Sequence, residues 1–288
     1  MRYAIITNPA SGRMDTDQKR VMLAEAAEVL NAKIYGLDTR TAAELGQCTR
    51  DLASGHDVIV AAGGDGTLAD VINAVDTSRM PVAYLPLGTG NAMQCALKYK
   101  GSLADIARRI RDGKIHDLDL INCDETCRAL MVSIGFEGTV IKLRDQYVSQ
   151  GAVGFKTYFK AVLISYFNKY KRTHARIVID GAVFEVEKLL SLMVVKHPYY
   201  GYGMNVVPKA RFDDRQLHVC CLNPGLFKAV IGGITAFTGG NRIGWYYAGQ
   251  KLNVKLQRPL TIQVNGNAGW EADEFRFTVL PKGLKIKC

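Results

Sequence analysis

Three glycine-bearing segments have the composition of anion-binding loops. Gly63-Gly64-Asp65-Gly66-Thr67 follows the apolar run Val58-Ile59-Val60-Ala61-Ala62, Pro86-Leu87-Gly88-Thr89-Gly90-Asn91 follows a run ending at Leu85, and Asn8-Pro9-Ala10-Ser11-Gly12 follows Tyr3-Ala4-Ile5-Ile6. Without side chains in the way, successive backbone N–H groups close on a phosphate, and a helix that starts at such a loop turns its positive end toward it. Thr67, Thr89 and Asn91 add neutral donors, and Asn8 and Ser11 border the same place. Asp65 is the odd member, because a carboxylate in a phosphate cradle repels the ligand unless it binds Mg²⁺ or accepts a proton. Two familiar phosphate motifs fail here. No Gly-Lys-Ser/Thr closes either loop, and Gly64-x-Gly66-x-x-Ala69 lacks the acidic ribose ligand about 20 residues on, since 77–104 contains no Asp or Glu.

These loops need elements to hold them. The first third alternates short apolar runs with helically spaced ones: strands near 3–6, 32–37, 58–62 and 82–85, and helices over 15–30, 41–52 and 68–75. That alternation predicts a parallel sheet wound with helices, whose ligands bind beyond the carboxyl ends of the strands. After about residue 120 short alternating segments take over, with Asp180-Gly181 and Asn265-Gly266 as hairpin turns and one or two inserted helices. The expected architecture is an α/β nucleotide-binding domain over 1–120, completed by 282–288, and a β-rich sandwich domain over 121–281.

The chain has 288 residues, 48% hydrophobic and 22% charged, which excludes disordered and collagen-like classes. Seven scattered cysteines without a CxxC pair give neither a disulfide framework nor a zinc site, and fit a reducing cytosol. A net charge of +10 favours anionic partners, but no nucleic-acid motif accompanies it. The N-terminus reads as a first strand, and the apolar stretch 226–237 is too short and too glycine-interrupted to span a bilayer.

GGDGT after an apolar strand, with NPASG upstream and PLGTGNA downstream, resembles the diacylglycerol kinase catalytic-domain family, which includes bacterial lipid kinases and the sphingosine and ceramide kinases. The likeness continues through Ile134-Gly135-Phe136-Glu137-Gly138, Pro208-Lys209-Ala210, Asp213-Asp214 and Pro281-Lys282-Gly283-Leu284, and so covers nearly the whole chain in order. The resemblance implies an ATP-dependent, Mg²⁺-assisted kinase acting on a lipid hydroxyl. It places ATP on Asn8, Ser11, Gly63, Gly64, Asp65, Gly66, Thr67, Gly88, Thr89 and Asn91, with Thr39 or Thr41 beside it. Asp65 becomes the catalytic carboxylate, and Asp214 a ligand of a structural Mg²⁺, although Arg215 stands where the family has glycine.

Two departures bear on activity. Asn91-Ala92-Met93 is closer to the sphingosine and ceramide branch than to the GTxNDFA of many bacterial members, which tilts the expected substrate, diacylglycerol or a sphingoid or ceramide lipid, toward a sphingoid one. The family's Asp-Gly-Glu, proposed to orient or deprotonate the lipid hydroxyl, is replaced by Asn265-Gly266-Asn267, whose amides cannot take a proton. A weakened or non-catalytic nucleotide- or lipid-binding protein is therefore the rival reading, with an NAD kinase-like enzyme below it. Lys156, Lys160, Lys169, Lys171 and Arg172 interleave with aromatics over 155–172, and 146–179 carries no acid. This stretch predicts peripheral contact with an anionic membrane from the cytoplasmic side. The oligomeric state is left open, a homodimer included.

Overall fold

The computed structural model describes residues 1–12, 14–88, 90–152 and 154–288. They form two compact units: Met1–Leu120 with Gly201–Gly203 and Pro281–Cys288, and Ile121–Tyr200 with Met204–Leu280.

The first unit holds β1 (Tyr3–Thr7), α1 (Thr16–Leu30), β2 (Lys33–Tyr35), α2 (Ala42–Ala53), β3 (Val58–Gly63), α3 (Asp65–Ala74), β4 (Val82–Pro86), α4 (Ala92–Ala96) and α5 (Leu103–Asp112). Its sheet runs β2-β1-β3-β4 with every pair parallel. All residues of β1 and β3 are buried, as strands must be when helices cover both faces. α1 packs on α5, and α2 on α3. Local chemistry sets the helix starts. Asp15 with Gln18 and Ser102 with Asp105 form capping boxes on α1 and α5, and Thr41 caps α2; each cap contributes about 1 kcal/mol. One boundary departs from the sequence reading. α3 begins at Asp65 rather than Leu68, because extended Gly64 is its N-cap and the Leu68 amide already donates to Gly64 O at 3.2 Å. Half of the expected loop is thus the first turn of a helix.

β5 (Ile115–Cys123) carries the chain into the second unit, which continues with β6 (Cys127–Ala129), β7 (Met131–Gly135), α6 (Phe136–Ser149), α7 (Phe155–Ile164) and a π turn over Ser165–Lys169. There follow β8 (Thr173–Ile179), β9 (Ala182–Leu189), β10 (Ser191–Val195), β11 (Leu217–Leu222), α8 (Leu226–Thr238), β12 (Trp245–Gly249), β13 (Lys251–Val264) and β14 (Asn267–Lys287). The order is β12-β11-β10-β7-β13-β14, antiparallel throughout, with the β8–β9 hairpin joined to β13. Both expected hairpin turns form, and their central residues take the left-handed conformation that such turns require: Asp180 φ 48°, Gly181 φ 89°, Asn265 φ 46° and Gly266 φ 89°. Three α-helices, rather than one or two, interrupt the strands, the third being the apolar stretch beginning at Leu226. The last residues of β14 return to the first unit, where Ile286 pairs in parallel with Val82 of β4 and Thr77 Oγ1 donates to Gly283 O at 2.5 Å.

Candidate active site

Parallel register decides where the three loops lie. Thr7 pairs with Ala62 and Gly63 with Pro86, so β1, β3 and β4 end level and release their loops side by side. The loops touch. A Cβ on Gly88 would sit 2.6 Å from Gly64 Cα, one on Gly12 would meet Leu87 O at 3.8 Å, and one on Gly63 would collide with the Thr67 side chain. Gly88 and Gly63 are therefore glycines of necessity, for close approach rather than for flexibility.

Asp65 fixes the second loop. Its two oxygens accept from the amides of Ala92 (2.8 Å) and Met93 (3.0 Å), the first N–H donors of α4. Burial raises its pKa, against the pull of those amides. Asn91, at φ 32°, precedes α4; its Nδ2 donates to Gly88 O (2.7 Å), and its Oδ1 accepts from buried Tyr84 (3.1 Å). Gly88 N donates to Gly63 O at 3.3 Å, so that amide is engaged inside the protein. The amides of Asp65, Gly66 and Thr67 precede the first intrahelical bond of α3 and, with no acceptor among the described residues, are available to an anion at its N-terminus. Thr67 is 3% exposed, and its hydroxyl has no hydrogen-bond partner among the described residues. Thr89 lies outside the described residues.

The first loop has a support that the sequence reading missed. Lys19, buried in α1, donates to Asn8 O and Pro9 O, each at 2.7 Å, and burial lowers its pKa. Ser11 turns back on Asn8, its hydroxyl donating to Asn8 O at 2.8 Å. Asn8 also bonds Asp70, whose pKa burial raises, which ties the loop to α3. Gly201–Gly203 packs beside α4 within the same unit, with Tyr202 N donating to Gly90 O at 2.7 Å. Lys19 lies eleven residues from Asn8 and Gly201 far beyond Gly90, so local pattern carried no sign of either contact.

In the second unit Asn265 makes a latch. Its Oδ1 accepts from Leu130 N (3.0 Å) and Met131 N (3.1 Å) at the start of β7. Glu137, in the first turn of α6, is buried; its Oε1 accepts from Ser191 Oγ at 2.6 Å, while Oε2 has no partner among the described residues. Burial lifts this carboxyl to about 7.

Asp214 was expected to hold a structural Mg²⁺, and the surrounding donors do not fit one. Lys196, wholly buried, places its ammonium 3.1 Å from Asp214 Oδ1 and 2.5 Å from Gln216 O, and His218 Nε2 stands 3.0 Å from Oδ2. A carboxylate and a carbonyl thus already share one cation, and a divalent ion beside it would face like charge. Burial pushes the Asp214 carboxyl up, and Lys196 and His218 outweigh that, leaving it below its ordinary range. Asp65 has both oxygens on amides. Among the described residues no group of three or more His, Cys, Asp or Glu could hold a metal.

Two family models match the chain: diacylglycerol kinase catalytic domain over residues 2–123, and YegS C-terminal NAD kinase beta sandwich-like domain over 130–287. Curated relatives include proteins named diacylglycerol kinase from Staphylococcus aureus (strain MRSA252) and Staphylococcus epidermidis (strain ATCC 12228). Each is 27% identical over 220 residues, 74% of this chain and 68% and 67% of the respective relative. A crystal structure described as a diacylglycerol kinase of Bacillus anthracis str. Sterne superposes with a TM-score of 0.74 at 17% identity, covering 99% of this chain and 96% of that one. It shares the fold.

Three outcomes test this geometry. Asp65→Asn turns an amide nitrogen toward a helix N–H and lowers stability by about 1–3 kcal/mol in urea titration. Lys196→Met strands Asp214 and costs roughly 2–4 kcal/mol, less than for a fully buried pair because Asp214 keeps some solvent; the melting temperature of the wild type does not move on adding EDTA. Glu137, at about 7 when folded and at its ordinary 4.5 when unfolded, binds its proton more tightly in the folded chain. Stability therefore falls as pH rises from 4.5 to 7, and Glu137→Gln gains on the wild type by up to about 3 kcal/mol between pH 4.5 and 8.

Proposed function

Because the chain belongs to the diacylglycerol kinase catalytic-domain family, we propose that it is an ATP-dependent lipid kinase that moves the γ-phosphoryl group to a hydroxyl of diacylglycerol or of a sphingoid or ceramide lipid. The observation that supports this most is the set of open amides at Asp65, Gly66 and Thr67. They stand at the level ends of three parallel strands, beside a Thr67 hydroxyl that has no partner among the described residues. Phosphate oxygens accept from these amides, and the α3 dipole favours their charge. Asn8 and Ser11 border the phosphates on one side and the Gly88–Asn91 loop on the other. Asp65 acts in this reading by fixing that loop rather than by taking a proton. Mg²⁺ would arrive as the counter-ion of the nucleotide and neutralise its phosphate charge; no residue of the chain is assigned to it.

In the transfer, the lipid hydroxyl oxygen bonds to the γ-phosphorus as the bond to the β,γ-bridging oxygen breaks. ADP leaves with that electron pair, and the hydroxyl proton passes to the transferred group or to water. Phosphoryl transfer goes through a loose transition state, so positioning and charge do most of the work and a base is not obligatory. A missing base costs about 10²–10⁴-fold, and the Asn265-Gly266-Asn267 turn lacks one. The second reading, a weakened kinase, is favoured by the use of Asn265 Oδ1 as a latch.

The family reading also needs access to lipid. No helix among the described residues is long and apolar enough to cross a membrane. Two segments of the second unit nevertheless expose large apolar side chains: Phe159, Leu163 and Phe167 (62%) within 155–172, and Phe227 (79%), Val230 and Ile234 on α8. Arg172 ties the segments together by donating to Asn223 O (2.9 Å) and Pro224 O just before α8. Residues 146–179 and 215–270 contain no acid, whereas Lys169, Lys171 and Lys228 lie among these apolar groups. That complementarity supports an anionic bilayer, met from the cytoplasmic side, as the partner of this surface.

Labelled ATP, offered with diacylglycerol, monoacylglycerol, sphingosine, ceramide and NAD, labels a lipid and not NAD; if no lipid is labelled, the kinase reading is wrong. Asn265→Asp keeps the latch, since a carboxylate oxygen accepts the same two amides, and raises turnover if the chain is a weakened kinase. In sedimentation with vesicles of 3:1 phosphatidylcholine and phosphatidylglycerol, Phe227→Ser with Ile234→Ser removes most binding. Lys169→Glu and Lys171→Glu each weaken it about fivefold or more, and pure phosphatidylcholine binds poorly.

A further inference from the structure

One face of the sheet in the second unit carries polar groups where a core face should be apolar. Across β13, β7, β10 and β11, Gln263 pairs with Ser133, Ser133 with Met193, and Met193 with Cys220; one step along, Gly135 pairs with Ser191. Because side chains alternate along strands, Gln263, Ser133 and Ser191 point to one side with Met193 and Cys220, and Ile134, Val132 and Ile262 to the other. The first turn of α6 lies on that side: a Cβ on Gly138 would collide with Thr261 O, which brings Glu137 down beside Ser191.

The row is buried and only partly satisfied. Gln263 and Ser133 are 0% exposed and Ser191 1%, and Ser133 Oγ donates to Gln263 Oε1 at 2.9 Å. That leaves Gln263 Nε2, a donor, and Glu137 Oε2, an acceptor, without partners among the described residues; Asn265 Nδ2, two residues along from Gln263, is a further unpartnered donor. Groups so placed cost stability when nothing meets them. A ligand that satisfies them must both donate and accept. A phosphate or carboxylate brings negative charge to a buried carboxylate, and an ammonium has nothing for the amides; an uncharged alcohol serves both. Met131, Met193 and Cys220 border the row on the same face, within a buried apolar cluster that includes Val206, Val207 and Tyr200, whose hydroxyl also has no partner among the described residues.

We propose that Glu137 and Gln263, held by Ser191 and Ser133, bind the free hydroxyl of a neutral, acyl-bearing lipid head group. This rests on the lipid kinase reading for its source of ligand and adds to it the residues that select an alcohol. Glu137 supplies a carboxyl to a unit whose Asn265-Gly266-Asn267 turn has none.

The test is binding, not turnover. Full-length, nucleotide-free protein is titrated calorimetrically with dioctanoylglycerol, with 1,2-propanediol dioctanoate, which has a hydrogen in place of the hydroxyl, and with glycerol. The wild type prefers dioctanoylglycerol over the deoxy compound by about tenfold or more, the worth of one or two buried hydrogen bonds. Glu137→Gln loses most of that preference, as does Gln263→Met, which removes the donor independently. Glycerol binds far more weakly than the lipid. Equal affinity for the two lipids, no binding of either, or full preference in both folded variants overturns the site, leaving the row to buried water. Glycerol binding as tightly as the lipid overturns the lipid as source. Hydroxyl preference without phosphate transfer sinks the kinase reading alone, and transfer with preference unchanged in the variants sinks this inference alone.

Discussion

Everything at the candidate active site depends on three parallel strands ending at one level. Hydrogen bonding in the β1-β3-β4 ladder sets Thr7 against Ala62 and Gly63 against Pro86. Strands buried on both faces cannot slip by one residue without driving helical packing out of register. Level ends force three loops into contact, and the approach of Gly88 to Gly64 leaves no room for a side chain at Gly88. Asp65 then converts contact into rigidity. Its buried carboxylate holds the amides of Ala92 and Met93, so the start of α4 follows the start of α3. The open amides of α3 are left as the feature a phosphate can use.

The second unit solves the same problem of buried polarity in two ways. Around Asp214 the charges close on themselves, with Lys196 as an internal cation between a carboxylate and a carbonyl and with His218 alongside. Around Glu137 they do not close: one oxygen of a carboxyl pushed to about 7 and one amide donor have no partner among the described residues. A closed cluster specifies structure, whereas an open one invites a ligand.

The sequence carried the α/β unit with its parallel sheet and the β-rich sandwich, because periods of two and 3.6 and turn pairs such as Asp180-Gly181 are local properties. It also carried the positions of the three loops, since glycine clusters after apolar runs are visible without a fold. It misjudged the start of α3, as Gly and Asp are poor helix formers and only the extended Gly64 shows that the turn is already helical. It gave Asp65 a chemical role from its charge and from the family resemblance, and could not see that α4 would occupy both oxygens.

What the sequence by itself determined is therefore the inventory: which runs become strands, where glycine permits close approach, and which family's motifs stand in which order. What only the tertiary structure decided is the partner of each polar group. Lys19 on Asn8, Asp65 on Ala92 and Met93, Lys196 on Asp214, Gly201–Gly203 beside α4, and the unmet Glu137 all join positions separated along the chain. The reason is physical. A backbone conformation responds to its immediate neighbours, but the cost of burying a charge is set by whatever the fold brings within about 3 Å of it.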